Sequence, residues 1–332
     1  MSTDSVHPYE RLTPDRVLDA VESQGFISDA RILALNSYEN RVYQIGIEEQ
    51  TPIIAKFYRP NRWSKEQILE EHQFSLVLQS MELPVIAPLM NKKNETLFEF
   101  DGFSFALFPK QGGYAPELAN PDNLLVIGRC LGRIHRLGAA EPFQARNTIN
   151  LQHFGVESVD YLCENNFIPT SLTEAYQTLT HDLLHQLARV EKEYSVAQIR
   201  VHGDCHSGNI LWRNNGPYFV DFDDTAMAPA IQDLWMLLSG DRQSQTIQMA
   251  EILEGYCEFH HFNLAELNLI EYFRTLRLLH YSAWLARRWK DPAFPMAFTW
   301  FNTDRYWAEH ILALREQLAS INEAPLAIFG KL

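Results

Sequence analysis

Apolar positions along the chain change period twice, and the changes divide it. Val17, Leu18 and Val21 recur at helical spacing behind Thr13, Pro14 and Asp15 and ahead of Gly25, which predicts a capped helix of about three turns. From Ile32 to Phe57 the texture becomes β-rich, with "RVYQIGI" and "PIIAKFY" separated by the polar "EEQT", the pattern of a meander or hairpin. "WSKEQILEEHQFSLVLQS" then starts a helix: Ser64 is the N-cap, Gln67 completes a capping box, and Trp63 and Ile68 are placed as a hydrophobic staple. "TLFEF" and "FSFALFP" predict two further strands that end at Pro109, near "KQGG".

Beyond Pro109 the helical period dominates. Asn120 and Pro121 open a helix whose stripe is Leu124, Ile127, Leu131 and Ile134, with Gly138 as its stop. A long helical pattern runs from about Ser171 to Glu193, followed by a loop, a short strand pair "NILW" and "YFVDF", and helices to the end. No repeat or low-complexity segment interrupts it. A mainly β part, residues 1–109, and a mainly helical part, residues 110–332, predict an α+β protein of two lobes with its site in the cleft between them.

Composition narrows the function more than the fold. With 46% hydrophobic and 21% charged residues, 15 Gly and 16 Pro, most of the chain should be folded. A formal charge of -14 argues against a nucleic-acid or anionic-membrane partner, both of which need a positive face, and suits a cationic or metal-bridged ligand. Cys130, Cys163, Cys205 and Cys257 show no CxxC spacing, so neither a disulfide framework nor a cysteine zinc site is signalled, and a reducing cytoplasm is the expected home. The N-terminus has no apolar segment behind a basic start, and nowhere do about 18 apolar residues run together, so neither export by that route nor a membrane span is expected.

The chemistry concentrates in "VHGDCHSGNILW", Val201 to Trp212. His202, Cys205 and His206 are zinc-ligand types, but no second ligand pair with zinc spacing follows downstream. A kinase catalytic loop instead needs an Asp for the proton of the attacking hydroxyl, an Asn five residues later for a metal ion, and a second metal-binding Asp after the next hairpin. Asp204, Asn209 and Asp221 in "FVDFDD" meet all three requirements, and a tight hairpin around "RNNGP" would return Asp221 beside Asn209. Oxygen donors of this kind suit Mg²⁺, which keeps several waters and takes few protein ligands. Lys56 in "IIAKFY" and Glu71 on the staple-started helix come in the right order for the lysine that binds the ATP phosphates and its ion-pair partner. Taken singly, these residues read as well as a turn-forming loop, a snorkelling edge lysine and a solvated helix face.

"HGDCHSGNIL", "FVDFDD" and "PAIQDLWMLL" resemble the aminoglycoside and choline kinase group of the protein-kinase-like fold, and "LNSYENRVYQ", "AKFYRPNRWSKEQILEEHQF" and "AWLARRWKDPAFP" extend the resemblance to the stress response kinase A family. The resemblance implies a small β-rich nucleotide-binding lobe and a larger helical lobe. It implies Asp204 as proton acceptor, Asn209 and Asp221 as magnesium ligands, Lys56 and Glu71 at the phosphates, and Ser37 touching ATP. It further implies a cytoplasmic, monomeric, ATP- and Mg²⁺-dependent serine/threonine protein kinase of the stress response. The acidic balance fits equally a small cationic alcohol as acceptor, and a non-catalytic nucleotide-binding regulator is the reading from another class.

Departures from ordinary protein kinases are visible. "LNSYENRVY" replaces the G-x-G-x-x-G loop, and "DFDD" without a later A-P-E leaves no room for a long activation loop. Asp223 and Asp224 read as exposed turn acids, with a second carboxylate at the metal as the alternative, Asp233 as a helix cap or a brace for the catalytic loop, His202 as a structural histidine and Cys205 as filler. In "HDLLH", His181 and His185 lie one helical turn apart as in metalloproteases, but Asp182 replaces the glutamate base and no third ligand is evident. "WLARRW" reads as a core aromatic stripe with arginines at its rim.

Overall fold

The computed structural model describes residues 9–214 and 216–328; the N-terminal stretch 1–8 and Asn215 of the "RNNGP" turn, both read above, lie outside them. The chain divides into two compact units. The first reaches to Pro116 and takes in Gly208–Asp223, and the second comprises Glu117–Ser207 and the chain from Asp224 onward.

The first unit begins with α1 (Pro14–Glu22), capped by the Thr13 side chain, which accepts from the Arg16 N–H. Strands β1 (Ser28–Ala34), β2 (Arg41–Ile47) and β3 (Ile53–Phe57) follow, then α2 (Lys65–Ser80), β4 (Phe98–Phe100) and β5 (Phe103–Pro109). They form one antiparallel sheet in the order β1-β2-β3-β5-β4. β1 starts four residues before the apolar pattern indicates, because a register shift between Ser28 and Ile32, with Ala30 at φ +64°, breaks the alternation. The capping box of Ser64 and Gln67 forms as expected, and Trp63 and Ile68 pack in one cluster with Tyr58 and Ala106. Alternation along β3 puts Ile53, Ala55 and Phe57 into the core shared with Val17, Val21, Ile45, Phe105 and Leu107, and turns Lys56 to the other face. The rings of Phe57 and Phe105 stack at 5.1 Å, each burial contributing about 1.5–3 kcal/mol.

The second unit opens with α3 (Pro121–Gly138), whose predicted stripe of Leu124, Ile127, Leu131 and Ile134 is buried throughout. After a π-helical turn, Leu151–Val156, come α4 (Glu157–Glu164), α5 (Thr173–Glu193) and the short β6 (Ile199–Val201). The chain then enters the first unit as the hairpin β7 (Ile210–Arg213) and β8 (Gly216–Phe219), anchored there by Phe219 N–H to Pro84 O at 2.8 Å and Ile86 N–H to Phe219 O at 3.0 Å. Back in the second unit, β9 (Ala226–Ala228) pairs with β6, and α6 (Ile231–Leu234), α7 (Arg242–Cys257), α8 (Ile270–Arg287), α9 (Ala293–Ala297) and α10 (Asp304–Ser320) complete it. Gly128 and Gly132 let α3 approach α7 so closely that a Cβ at either would collide with the Ile252 or Tyr256 carbonyl. The "WLARRW" segment is built into an aromatic cluster, with Trp284 against Phe294 at 5.1 Å and Trp289 against Phe301 at 4.9 Å. No described helix is long and apolar enough to cross a membrane.

Candidate active site

Within the first unit, the face of β3 that carries Lys56 is the one α2 covers. Lys56 is buried, and its ammonium meets Asp223 at 2.9 Å, Asp221 at 3.0 Å and Glu71 at 3.7 Å. Glu71 occupies the buried stripe of α2 with Ile68, Phe74 and Leu78, a position a lone carboxylate would find costly. Burial opposes the lysine's charge, but the facing Asp221, Asp223 and Glu71 outweigh it and hold its pKa well above the usual range. The sequence expectation that Lys56 and Glu71 come together therefore agrees with the geometry.

The hairpin brings the two candidate metal ligands close along the ladder. Val220 N–H donates to Asn209 O at 3.0 Å, so Asp221 lies one residue beyond the position opposite Asn209. Asp221 has φ +60°, a left-handed conformation that Asp tolerates better than most residues, and its side chain is 54% exposed. Asp223 departs from the reading as an exposed turn acid: its side chain is only 4% exposed, because the Lys56 ammonium and the Arg62 guanidinium both pair with it and compensate its burial. Asp224 is half-buried rather than exposed. Arg62 lies in the quoted "YRPNRWS" but carried no local signal of this pairing.

Ser37 sits half-buried in the β1–β2 turn, which lacks the usual glycines. Arg59 fastens this turn from outside: its backbone N–H donates to Asn40 Oδ1 at 3.0 Å, its guanidinium donates to Tyr38 O at 3.2 Å, and it pairs with Glu39 at 3.0 Å. Side-chain bonds from Arg59 thus fix the shape of this glycine-free turn.

In the second unit, Asp204 follows β6 in a loop built around Asp233. The Asp233 carboxylate accepts from His202 N–H at 2.7 Å, Gly203 N–H at 2.9 Å and His135 Nε2 at 2.9 Å, and Gln232 Nε2 donates to Gly203 O at 2.8 Å. Asp233 is thus a brace for the loop, one of its two expected roles. Gly203 has φ +87°, and a Cβ there would collide with the Asp224 carbonyl, so only glycine fits before Asp204. His202 and Cys205 are fully buried beneath, as structural residues. Asp204 itself is paired with Arg277 Nη1 at 2.6 Å and His206 Nε2 at 3.5 Å. Burial would raise its pKa, but the hydrogen bond from His206 and the charge of Arg277 overcome that and hold the carboxyl well below the usual range. Arg277 is 73 positions away on α8, beyond any local motif. Only Cys205 to Gly208 separate Asp204 from Asn209 along the chain.

Among the described residues no three His, Cys, Asp or Glu side chains gather as a metal site. His181 is 82% exposed and lies 3.5 Å from Asp182, its neighbour in sequence.

Residues 31–270 match the model of the phosphotransferase enzyme family. Over 325 residues the chain is 44% identical to stress response kinase A of Escherichia coli O157:H7, and 43% identical to the serine/threonine protein kinase RdoA of Salmonella typhimurium, covering 98% of both partners in each case. Among solved structures, the amicoumacin kinase hAmiN in complex with AMP-PNP, Ca²⁺ and Ami aligns at a TM-score of 0.70 with 18% identity, covering 94% of this chain and 95% of that one, a likeness of fold. The protein-kinase-like α+β fold read from the motifs is thus the fold observed, and the chain belongs to the phosphotransferase enzyme family.

Proposed function

We propose that the protein transfers the γ-phosphoryl group of ATP, with Mg²⁺, to a serine or threonine hydroxyl of a protein, as a cytoplasmic, monomeric kinase of the bacterial stress response. The observation that carries this reading is the buried Lys56 ringed by Glu71, Asp221 and Asp223. Glu71, Asp221 and Asp223 outnumber the Lys56 and Arg62 cations three to two, so the cluster favours one further cation, and Mg²⁺ at the exposed Asp221 would leave the Lys56 ammonium to the phosphates. The names of the two bacterial relatives support the acceptor class and the stress response.

Asn209 and Asp221 offer oxygen donors only, and the half-exposed Asp221 leaves room for coordinated water, a donor set that fits a hard, partly hydrated Mg²⁺. When bound there, the ion would neutralise charge on the β- and γ-phosphates. Asp204 accepts the proton of the acceptor hydroxyl, whose oxygen forms the new bond to the γ-phosphorus as the bond to the bridging oxygen of ADP breaks. His206 and Arg277 keep Asp204 ionised for that task. Lys56, positioned by Glu71 and Asp223, holds the α- and β-phosphates, and Ser37 in the arginine-fastened turn contacts the nucleotide. Catalysis is then mainly positioning and electrostatics.

A second reading, transfer to a hydroxyl of an aminoglycoside- or choline-like cationic alcohol, is favoured by the formal charge of -14 and by the small-molecule kinase among the structural neighbours. Incubating the pure protein with γ-labelled ATP, Mg²⁺, casein-like proteins and a panel of amino alcohols separates the two. Label in Ser or Thr of the proteins supports the first, and label in the small molecules alone overturns it. No transfer to anything, with nucleotide bound, would instead indicate a regulator.

A further inference from the structure

The Asp204 carboxylate is not bare. Its Oδ1 is held by Arg277 Nη1 at 2.6 Å and its Oδ2 lies 3.5 Å from His206, so an acceptor hydroxyl that approaches Oδ1 shares it with a guanidinium. Arg277 and His206 are both partly exposed, 45% and 39% of their side chains, and Arg277 is the one of the two that is always charged. A choline- or aminoglycoside-like ammonium arriving here meets a guanidinium first. An acceptor with a carboxylate or phosphate near its hydroxyl instead draws the guanidinium onto itself, and that exchange frees Oδ1.

The same helix face continues away from Asp204. Tyr281 is exposed one turn beyond Arg277 and stacks on Trp284 at 5.6 Å, and the Arg288 guanidinium lies 5.4 Å over the Trp284 ring. Arg277 and Arg288 are eleven residues apart, about 16 Å along a helix, or roughly five residues of extended chain. That length exceeds a small alcohol, and a face with arginines at both ends and aromatic rings between them is a local place for an acidic peptide on a chain whose formal charge of -14 otherwise disfavours one.

We propose that Arg277 is a specificity-determining residue that receives a negative charge beside the acceptor hydroxyl, so that the preferred acceptor is a serine or threonine in an acidic extended peptide. This rests on the reading of Asp204 as the acceptor-side carboxylate.

The test compares kcat/KM for one serine peptide flanked by Glu, by Gln or by Lys, together with a short hydroxy acid and a choline-like amino alcohol, at low and moderate salt. The full-length protein should favour the Glu peptide over the Gln peptide by about tenfold, less at higher salt, and disfavour the Lys peptide and the amino alcohol. In Arg277→Gln the Glu/Gln ratio should fall to within about twofold, Arg277→Lys should retain most of it, and Arg277→Glu should shift preference toward the Lys peptide. A merely structural Arg277 would lower all rates without changing these ratios, which overturns the proposal. So does a full-length protein that prefers the Lys peptide, the hydroxy acid or the amino alcohol, or that labels no peptide. Asp204→Asn is run in parallel: if it transfers as fast as the parent protein, the Asp204 reading itself fails, whereas loss of transfer with flat charge preference sinks only the role of Arg277.

Discussion

Replacing Lys56 by Met removes the shared ammonium but keeps most of the aliphatic stem, so the change isolates charge. Three carboxylates lose a partner, and they lose different amounts. Asp221 is 54% exposed and turns to water, and Asp223 keeps Arg62. Glu71, buried on α2, loses a cation 3.7 Å away that water does not replace. Breaking a buried pair by removing one partner costs about 3–5 kcal/mol, and the surviving Arg62 contact places Lys56→Met toward the lower end, about 3 kcal/mol. The double variant Lys56→Met/Glu71→Gln takes away one of the buried carboxylates that faced the ammonium and should recover about 2 kcal/mol, while phosphoryl transfer stays lost in both. Urea unfolding followed by tryptophan fluorescence reads the stabilities at pH 7. The pH dependence supplies a second check. Because the folded pKa of Lys56 is raised above its unfolded value, its stabilisation is complete below the unfolded pKa of about 10.4 and is lost only as pH rises through the folded value. The gap between parent and single variant should therefore stay constant from pH 7 to about 10. A single variant within about 0.5 kcal/mol of the parent, or a double variant no more stable than the single, would refute the reasoning.

Three further outcomes follow from the same geometry. Asp233→Ala strips acceptors from the His202 and Gly203 amides and from His135, all buried, and should cost about 3 kcal/mol in urea unfolding while lowering transfer through a loosened Asp204 loop. Gly203→Ala combines a φ of +87° with a collision at the Asp224 carbonyl, and should destabilise by about 3 kcal/mol, against less than about 1 kcal/mol for the same change at Gly216, where a Cβ meets nothing. His310 is buried, and burial lowers its pKa from 6.5 to about 4, so the unfolded chain binds the extra proton first and stability falls as pH drops from about 6.5 to 4. His310→Asn should flatten that limb of the stability profile, by up to about 3 kcal/mol at its foot.

Local rules made much of the fold legible. The Ser64–Gln67 box, the Thr13 and Asn120 caps and the β-rich runs of β2, β3 and β5 are each written within a few residues, and each forms where the pattern puts it. Of the candidate site, the hairpin spacing that sets Asp221 near Asn209 and the order of Lys56 and Glu71 were legible, and both pairs are adjacent in the first unit. Long-range pairing was not. The β6 and β9 strands are three residues each and meet only because the chain between them leaves for the first unit and returns, so no window of sequence contains the pair. The early start of β1 is hidden by a bulge, which breaks the period-two signal. Asp223 looks like a turn acid until Lys56 and Arg62, more than 160 residues away in sequence, are seen beside it. Arg277 on Asp204 is the same kind of contact, and it is the one that bears on acceptor choice.

The most direct test of the phosphotransferase account is Asp204→Asn in single turnover with γ-labelled ATP and Mg²⁺ on a protein acceptor that the parent labels, with nucleotide affinity measured alongside. The account predicts nucleotide affinity within about threefold of the parent and a transfer rate lower by about 10²–10⁴. Transfer at the parent rate, or lost only in proportion to lost nucleotide binding, would contradict it.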